Sequence, residues 1–293
     1  MDLSTAALLV LTAAAALIAA RGLAWGPGIH IQLTRRVLEQ LERRREPAPL
    51  HKVVLAHADA FYYGNIAADI INLKNYGGVK NHCHNWNIED RLEALARTDL
   101  ERAFVLGYLC HLAADVIAHN HFIPYHVVHG LPPRLLGHAY WEALADAEVT
   151  DEEWDIVADL RHDRTLHAND KLIWSAVRWK ALGHRSYKWI FNNILLLNLR
   201  RSWRELIRAA RSRRGRHPLD AEFFHHCRTR CVHDMLAVFE REKLSLLKLR
   251  DPTGRAALRA ARVLRRDLLL EHGSHEGAKT ASRRLAREAY WGF

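Results

Sequence analysis

The stretch from residue 107 to residue 120 carries the side chains whose spacing best suits metal chemistry. His111, Asp115 and His119 recur every four residues, which on an α-helix places them near one face. The residues between them are apolar, so the pattern predicts a largely buried helix with one polar stripe. Burial of the Asp115 carboxylate costs roughly several kcal/mol unless a partner compensates its charge. A divalent cation supplies that pairing, and the alternative is a His–Asp hydrogen-bonded pair that only holds the core together.

Other segments supply further candidate ligands. His138 and Glu142 form a second pair at a four-residue spacing, and two such pairs favour a metal more strongly than one. Asp69 is an acid flanked by apolar residues, and a buried acid needs a partner or a cation. Two more imidazoles, His82 and His84, follow a glycine-containing loop. His30 opens a predicted amphipathic helix.

Composition predicts an all-α protein. The chain has 293 residues, of which 49% are hydrophobic, with only 15 Gly and 8 Pro. Long stretches rich in Ala, Leu and Arg contain few turn signals, which favours helices. The four cysteines form no C-x-x-C pair, so no cysteine zinc site is predicted and buried thiols are expected.

The positive charge is confined to the second half of the chain. Residues 25–145 hold 12 basic and 12 acidic residues, whereas residues 146–293 hold 30 and 20. Residues 200–216 alone carry eight arginines against Glu205. This charge predicts an anionic partner, either lipid headgroups in a peripheral membrane contact or nucleic acid; solubility alone is the other explanation. The helical pattern of residues 174–208 fits either a membrane surface or a core face backed by a solvated face.

The first 24 residues have the pattern of a signal peptide. Residues 5–20 are apolar without interruption, a length that suits a signal-peptide core better than a membrane span. Gly22 and Ala24 are the small residues that a signal peptidase requires, and cleavage after Ala24 exposes Trp25 as the new N-terminus. We therefore expect an exported protein. Because no Lys or Arg precedes the apolar run, an uncleaved membrane anchor is the alternative.

The order of these residues resembles the bacterial zinc-dependent phospholipase C family. The matching residues are Trp25, His30, Asp69, His84, His111, Asp115, His119, His138 and Glu142. The resemblance covers residues 25–145 and implies a multi-helix bundle with a tri-zinc site. The predicted organisation is a signal peptide or anchor (1–24), a phospholipase C-like domain (25–250) and a basic helical tail (251–293).

The resemblance also implies which residues hold each zinc. The first ion takes the amino group and carbonyl of Trp25 together with His30 and Asp115. The second takes Asp69, His84, His111 and Asp115, which bridges the two. The third takes His119, His138 and Glu142. Asp69 is also the candidate base for the attacking water.

Two positions depart from the family pattern. In the family, the histidine of the third site lies six residues after the bridging Asp, which here is His121. We favour His119 because it continues the helical face of Asp115. His82 competes with His84 in the same way, and His84 is favoured by the family-like Asn–Trp pair that follows it.

These features together predict a zinc metallohydrolase. Zinc lowers the pKa of bound water from about 15.7 to about 7, and a zinc cluster offsets the charge that develops on a phosphodiester. The predicted substrate is a phospholipid, cleaved in a phospholipase C reaction. One alternative is a single-strand-specific zinc nuclease, which shares the fold and ligand order but typically has Asp in place of Glu142. The others are a membrane-surface binding protein with a structural metal and a helical protein without metal.

Overall fold

The protein is described by a computed structural model. It describes residues 25–69, 83–131, 137–177, 219–273 and 275–293, together with the isolated positions 183, 186, 189 and 205. No strand occurs among these residues, so the predicted all-α class is confirmed. The predicted signal peptide, His82 and almost all of the arginine-rich stretch 200–216 lie outside them.

Thirteen α-helices are numbered here in chain order within the described residues. They are α1 (Pro27–Glu42), α2 (Pro49–Ala56), α3 (Ala58–Ala67), α4 (Glu89–Leu95), α5 (Asp99–Ile117), α6 (Ile123–His129), α7 (Gly137–Asp146), α8 (Asp151–His162), α9 (Asp170–Ala176), α10 (Ala221–Ala237), α11 (Arg241–Leu247), α12 (Arg255–His272) and α13 (His275–Tyr290). Two 3₁₀ turns, Trp86–Ile88 and Leu166–Asn169, precede α4 and α9. Helix α1 begins at Pro27 rather than at the predicted His30, because proline is well suited to the first turn of a helix.

Helix α5 lies at the centre of the bundle. Its start is fixed by a capping box, in which the Thr98 hydroxyl accepts from the Glu101 N–H at 3.2 Å and the Glu101 carboxylate accepts from the Thr98 N–H at 3.0 Å. Every residue from Ala103 to Ile117 is buried. A helix that is buried on all sides must be surrounded by other helices, and α3, α10 and α2 pack against it.

Helices α3 and α5 cross at backbone contact distance because two glycines face each other. A Cβ on Gly64 would lie 2.0 Å from the carbonyl oxygen of Phe104, and one on Gly107 would lie 2.1 Å from that of Phe61. Any side chain at these positions would force the helices apart. The close crossing also brings the backbone of Asn65 to the face of α5 that carries the metal-competent residues.

Helix α5 does not run straight into α6. Residues Ala118–Phe122 form a π-helical turn, and Pro124 lies just beyond it in the first turn of α6. Proline cannot bond to the carbonyl four residues earlier, which favours a widened turn at this point. A π-turn changes the direction in which the following side chains project. The two histidines in the turn, His119 and His121, therefore face different surroundings.

The predicted basic tail is helical and packs on the rest of the protein. Helices α12 and α13 lie against α6, and α12 also contacts the π-turn. Gly254 has a positive φ of 54° and lies so close to His119 that a Cβ would be 2.3 Å from the His119 carbonyl oxygen. The domain boundary at residue 250 stays a prediction. Among the described residues, no helix has both the length and the apolar character needed to cross a membrane.

We predict that Gly107→Ala lowers the free energy of unfolding by about 1–3 kcal/mol, the usual cost of overpacking. The added methyl group would meet the rigid Phe61 carbonyl rather than a movable side chain. Urea denaturation of the purified protein measures the effect. Gly292→Ala is the matched control, since a Cβ there meets nothing within 4 Å. Equal stability of the two variants would contradict the close crossing.

Candidate metal centre

The Asp115 carboxylate is buried at the centre of a ring of imidazoles. The distances to Asp115 are 3.6 Å from His30 Nε2 to Oδ1, and 3.2, 3.3 and 3.7 Å to Oδ2 from the Nε2 atoms of His84, His111 and His119. Neither carboxylate oxygen has a hydrogen-bond partner within the described part of the chain. Burial alone would raise the pKa of Asp115. His111, His30 and His84 outweigh burial and hold that pKa well below its ordinary value.

The imidazole of His111 is oriented by the backbone of α3. Its Nδ1 lies 2.7 Å from the Asn65 carbonyl oxygen, which can only accept, so Nδ1 carries the proton. Burial, reinforced by the nearby His30, lowers the pKa of His111 to about 4. With Nδ1 bonded to the backbone, Nε2 is the ring nitrogen that is directed at Asp115 and His84.

Two imidazole nitrogens face each other at hydrogen-bonding distance. His111 Nε2 lies 2.8 Å from His84 Nε2, while His84 Nδ1 lies 3.2 Å from the Cys83 thiol sulfur. Two imidazole nitrogens at this separation form a favourable contact only if a proton or a cation lies between them. A carboxylate with unbonded oxygens beside them is a ligand for the same cation. This donor set fits zinc, which prefers imidazole nitrogen and carboxylate oxygen.

Two groups of potential ligands share His111. One consists of His30, Asp69 and His111 and the other of His84, His111 and Asp115, and in each group the ligand atoms lie within 4.8 Å of one another. His30 stacks on His111 with ring centroids 4.0 Å apart, and neither nitrogen of His30 has a hydrogen-bond partner among the described residues. The five side chains thus form one buried cluster. The division of these residues between two ions, which the resemblance implied, stays a prediction.

The two histidines of the π-turn, His119 and His121, point in different directions. His119 points to Asp115, whereas His121 stacks on Phe293 with ring centroids 3.8 Å apart. Burial, together with the nearby Arg250, lowers the pKa of His121 to about 4. His119 therefore lies beside Asp115 and His121 does not, while the choice of His119 as a zinc ligand stays a prediction.

The remaining predicted ligands lie on α7 and at the start of the described chain. Glu142 is buried on α7. His138 belongs to the same helix, but its side chain lies outside the described residues. The Trp25 ring is buried against Phe122, with centroids 4.2 Å apart. The third site and the Trp25 amine therefore stay predictions.

Three supporting residues were not predicted from the sequence. Asn65 orients His111 through its backbone carbonyl, which the residue type does not reveal. Cys83 contacts His84 through its thiol. Asp146 accepts a hydrogen bond from the Ile29 N–H at 3.1 Å and so caps α1, which carries His30. Its position four residues after Glu142 was a detectable signal, because that spacing puts both acids on one face of α7.

A family model described as zinc-dependent phospholipase C matches residues 29–195, more than half of the 293-residue chain. The chain belongs to this family. The resemblance drawn from the ligand order is thereby confirmed, and all predicted ligands except Trp25 lie inside the matched range. This zinc-dependent phospholipase C family member is accordingly a phosphodiesterase. Searches of curated proteins and of solved structures give no significant match.

We predict that Asp115→Asn in this phospholipase C family member removes at least one zinc ion per chain and lowers turnover by more than about 100-fold. Loss of a residue that merely supports a ligand already costs about 10- to 100-fold. Elemental analysis and initial rates measure the two effects. Asp170→Asn is the control, since it removes another buried carboxylate yet keeps an oxygen to accept from Tyr63. Full zinc content and normal turnover in Asp115→Asn would show that Asp115 contributes only to packing.

Proposed function

We propose that this chain hydrolyses phospholipids in a phospholipase C reaction at a cluster of roughly two to three zinc ions. The observation that carries the proposal is the buried Asp115 carboxylate, whose two oxygens face four imidazole nitrogens. Bound zinc would supply Lewis acidity toward the phosphoryl oxygen and a water ionised near neutral pH. The rest of the chemistry depends on how the protein's own side chains are held.

The residues that would hold the ions fall into two sets. The set that the structure brings together consists of His30, Asp69, His84, His111, Asp115 and His119. The set assigned by family order alone consists of Trp25, His138 and Glu142. A buried cluster of this kind excludes bulk water, so that each electrostatic interaction within it is stronger than on the surface.

Asp69 is the side chain best placed to take up a proton. Its residue is 7% exposed, compared with 1% for Asp115, so it lies at the rim of the cluster. Its Oδ1 lies 3.1 Å from His84 Nε2, which keeps the carboxylate directed at the ligand group. We assign Asp69 as the base that accepts the proton of the attacking water, in addition to its position among the ligands.

The nuclease alternative rested on the basic second half of the chain. Its strongest part, residues 200–216, lies almost entirely outside the described residues, so no contact there supports nucleic acid over lipid. Glu142, where the nucleases typically have Asp, favours the phospholipase. The alternatives without catalysis are inconsistent with membership of a hydrolase family.

The decisive experiment compares the two phosphodiester classes directly. We expect the zinc-dialysed protein to release phosphorylated headgroup from phosphatidylcholine and to leave single-stranded DNA intact. Removal of zinc by a chelator should abolish hydrolysis and lower the melting temperature, because metal binding contributes to folding free energy. Re-addition of zinc to the chelated sample is the control for damage by the chelator. Cleavage of DNA without headgroup release would replace the proposal with the nuclease, and undiminished hydrolysis after removal of zinc would exclude zinc dependence.

We further propose that the protein is exported and that its mature form begins at Trp25. A backbone nitrogen can ligate zinc only as a free amine, since an amide nitrogen has no available lone pair. A form that retains residues before Trp25 should therefore contain one zinc fewer and be less active, while it folds normally. Mass spectrometry of the exported product and zinc analysis of both forms test this. Equal zinc in the two forms, or a different mature N-terminus, would eliminate the amine ligand.

A further inference from the structure

Residues 248–254 join α11 to α12 and contact two segments that carry proposed ligands. We call this segment the connector. Its Arg250 carbonyl accepts from Trp86 Nε1 at 2.9 Å, two residues after His84 along the chain. The Asp251 carbonyl accepts from Asn120 Nδ2 at 2.7 Å, one residue after His119. The connector therefore lies beside two segments that carry proposed ligands.

Two ion pairs to buried carboxylates hold the connector in place. Lys248 pairs with Glu89, and Arg250 Nη1 lies 2.7 Å from Asp234 Oδ2. Glu89 and Asp234 are only 4% and 1% exposed, and pairs with such buried carboxylates are screened by salt far less than surface pairs. The connector is thus a fixed part of the surface around the centre.

Two exposed leucines lie where α11 passes into the connector. Leu246 of α11 is 66% exposed and Leu249 of the connector is 81% exposed, although Leu244 and Leu247 of α11 are buried. The Leu249 N–H donates to the Leu246 carbonyl at 3.2 Å, so one tight turn holds the two residues together. We call Leu246 and Leu249 the leucine ridge. Since α11 already has its core contacts, the ridge adds nothing to the packing of the protein.

The part of the chain that carries the leucine ridge is basic. Residues 241–272 contain nine Lys and Arg against four Asp and Glu. Arg241 and Lys243 lie on α11 itself, and Lys248 and Arg250 flank Leu249 in the sequence. Cationic side chains beside exposed apolar ones are the combination that binds at the interface of a membrane carrying anionic lipid.

We propose that the leucine ridge inserts into the surface of a phospholipid membrane and thereby brings the metal centre to its substrate. The proposal rests on the proposed function, because only an enzyme of aggregated lipid gains from such an anchor. Leucines have no ring on which a nucleobase can stack, which argues against nucleic acid. The ridge also offers far less than the roughly 1,000 Å² of buried surface that a stable protein partner needs.

The test is the double variant Leu246→Ser/Leu249→Ser of the full chain. Binding to sedimented vesicles of phosphatidylcholine and phosphatidylglycerol should weaken by about tenfold or more, the effect expected when two leucines lose apolar burial. Hydrolysis of the vesicles should fall by a similar factor. Zinc content and hydrolysis of a short-chain phosphatidylcholine below its critical micelle concentration should stay at the wild-type level, because neither leucine belongs to the cluster.

Leu270→Ser is the matched control. Leu270 is 75% exposed but lies near the far end of α12, about 22 Å along the helix from Arg255. Unchanged vesicle binding by the ridge variant overturns the proposal, and so does an equal loss in Leu270→Ser, since it would show that any exposed leucine suffices. A wild-type protein that binds vesicles through the ridge but hydrolyses no phospholipid, soluble or aggregated, overturns the proposed function and leaves the membrane contact standing.

Discussion

The structure depends on the burial of one carboxylate among four imidazoles. Asp115 lies in the middle of a helix that is buried on all sides, where an uncompensated charge would be very costly. Among the described residues, imidazole nitrogens and no ammonium or guanidinium groups lie within ion-pair distance of Asp115, so the compensation of its charge by the protein is incomplete. A zinc ion bound beside Asp115 would complete this compensation, and it would also supply the Lewis acid that hydrolysis of a phosphodiester needs.

The proposed ligands come from different parts of the chain, and each part holds them through a different contact. The glycine crossing lets the backbone of α3 orient His111, Asp146 of α7 caps the helix that carries His30, and the π-turn directs His119. Most of these contacts involve the backbone. They are therefore rigid, and a rigid outer shell is what keeps metal ligands in a single arrangement.

The sequence predicted the parts of the site that follow from helical periodicity. The spacing of His111, Asp115 and His119 is a local property of one helix, and it predicted both the burial of that helix and the shared direction of its polar side chains. The all-α class was equally accessible because it is a property of average composition.

The remaining features arise from contacts between distant segments. His111 is oriented by the backbone carbonyl of Asn65 and not by its side chain, so the residue type at position 65 gives no sign of this contact. The π-turn arises from the placement of Pro124 relative to helical bonds that form only in the folded chain. The packing of the basic tail on the π-turn depends on tertiary fit at Gly254. None of these three features could be predicted from residue spacing alone.

The contacts that complete the centre have a consequence for how the protein folds. Trp86 and Arg250 are 164 positions apart, Asn120 and Asp251 are 131 apart, and Ile29 and Asp146 are 117 apart. Contacts over such separations form slowly, because the entropy of closing a long loop is lost before the contact is made. The glycine crossing joins segments less than 50 positions apart and can form much earlier. A nascent chain would therefore assemble the α3–α5 core first and complete the shell around the metal cluster last.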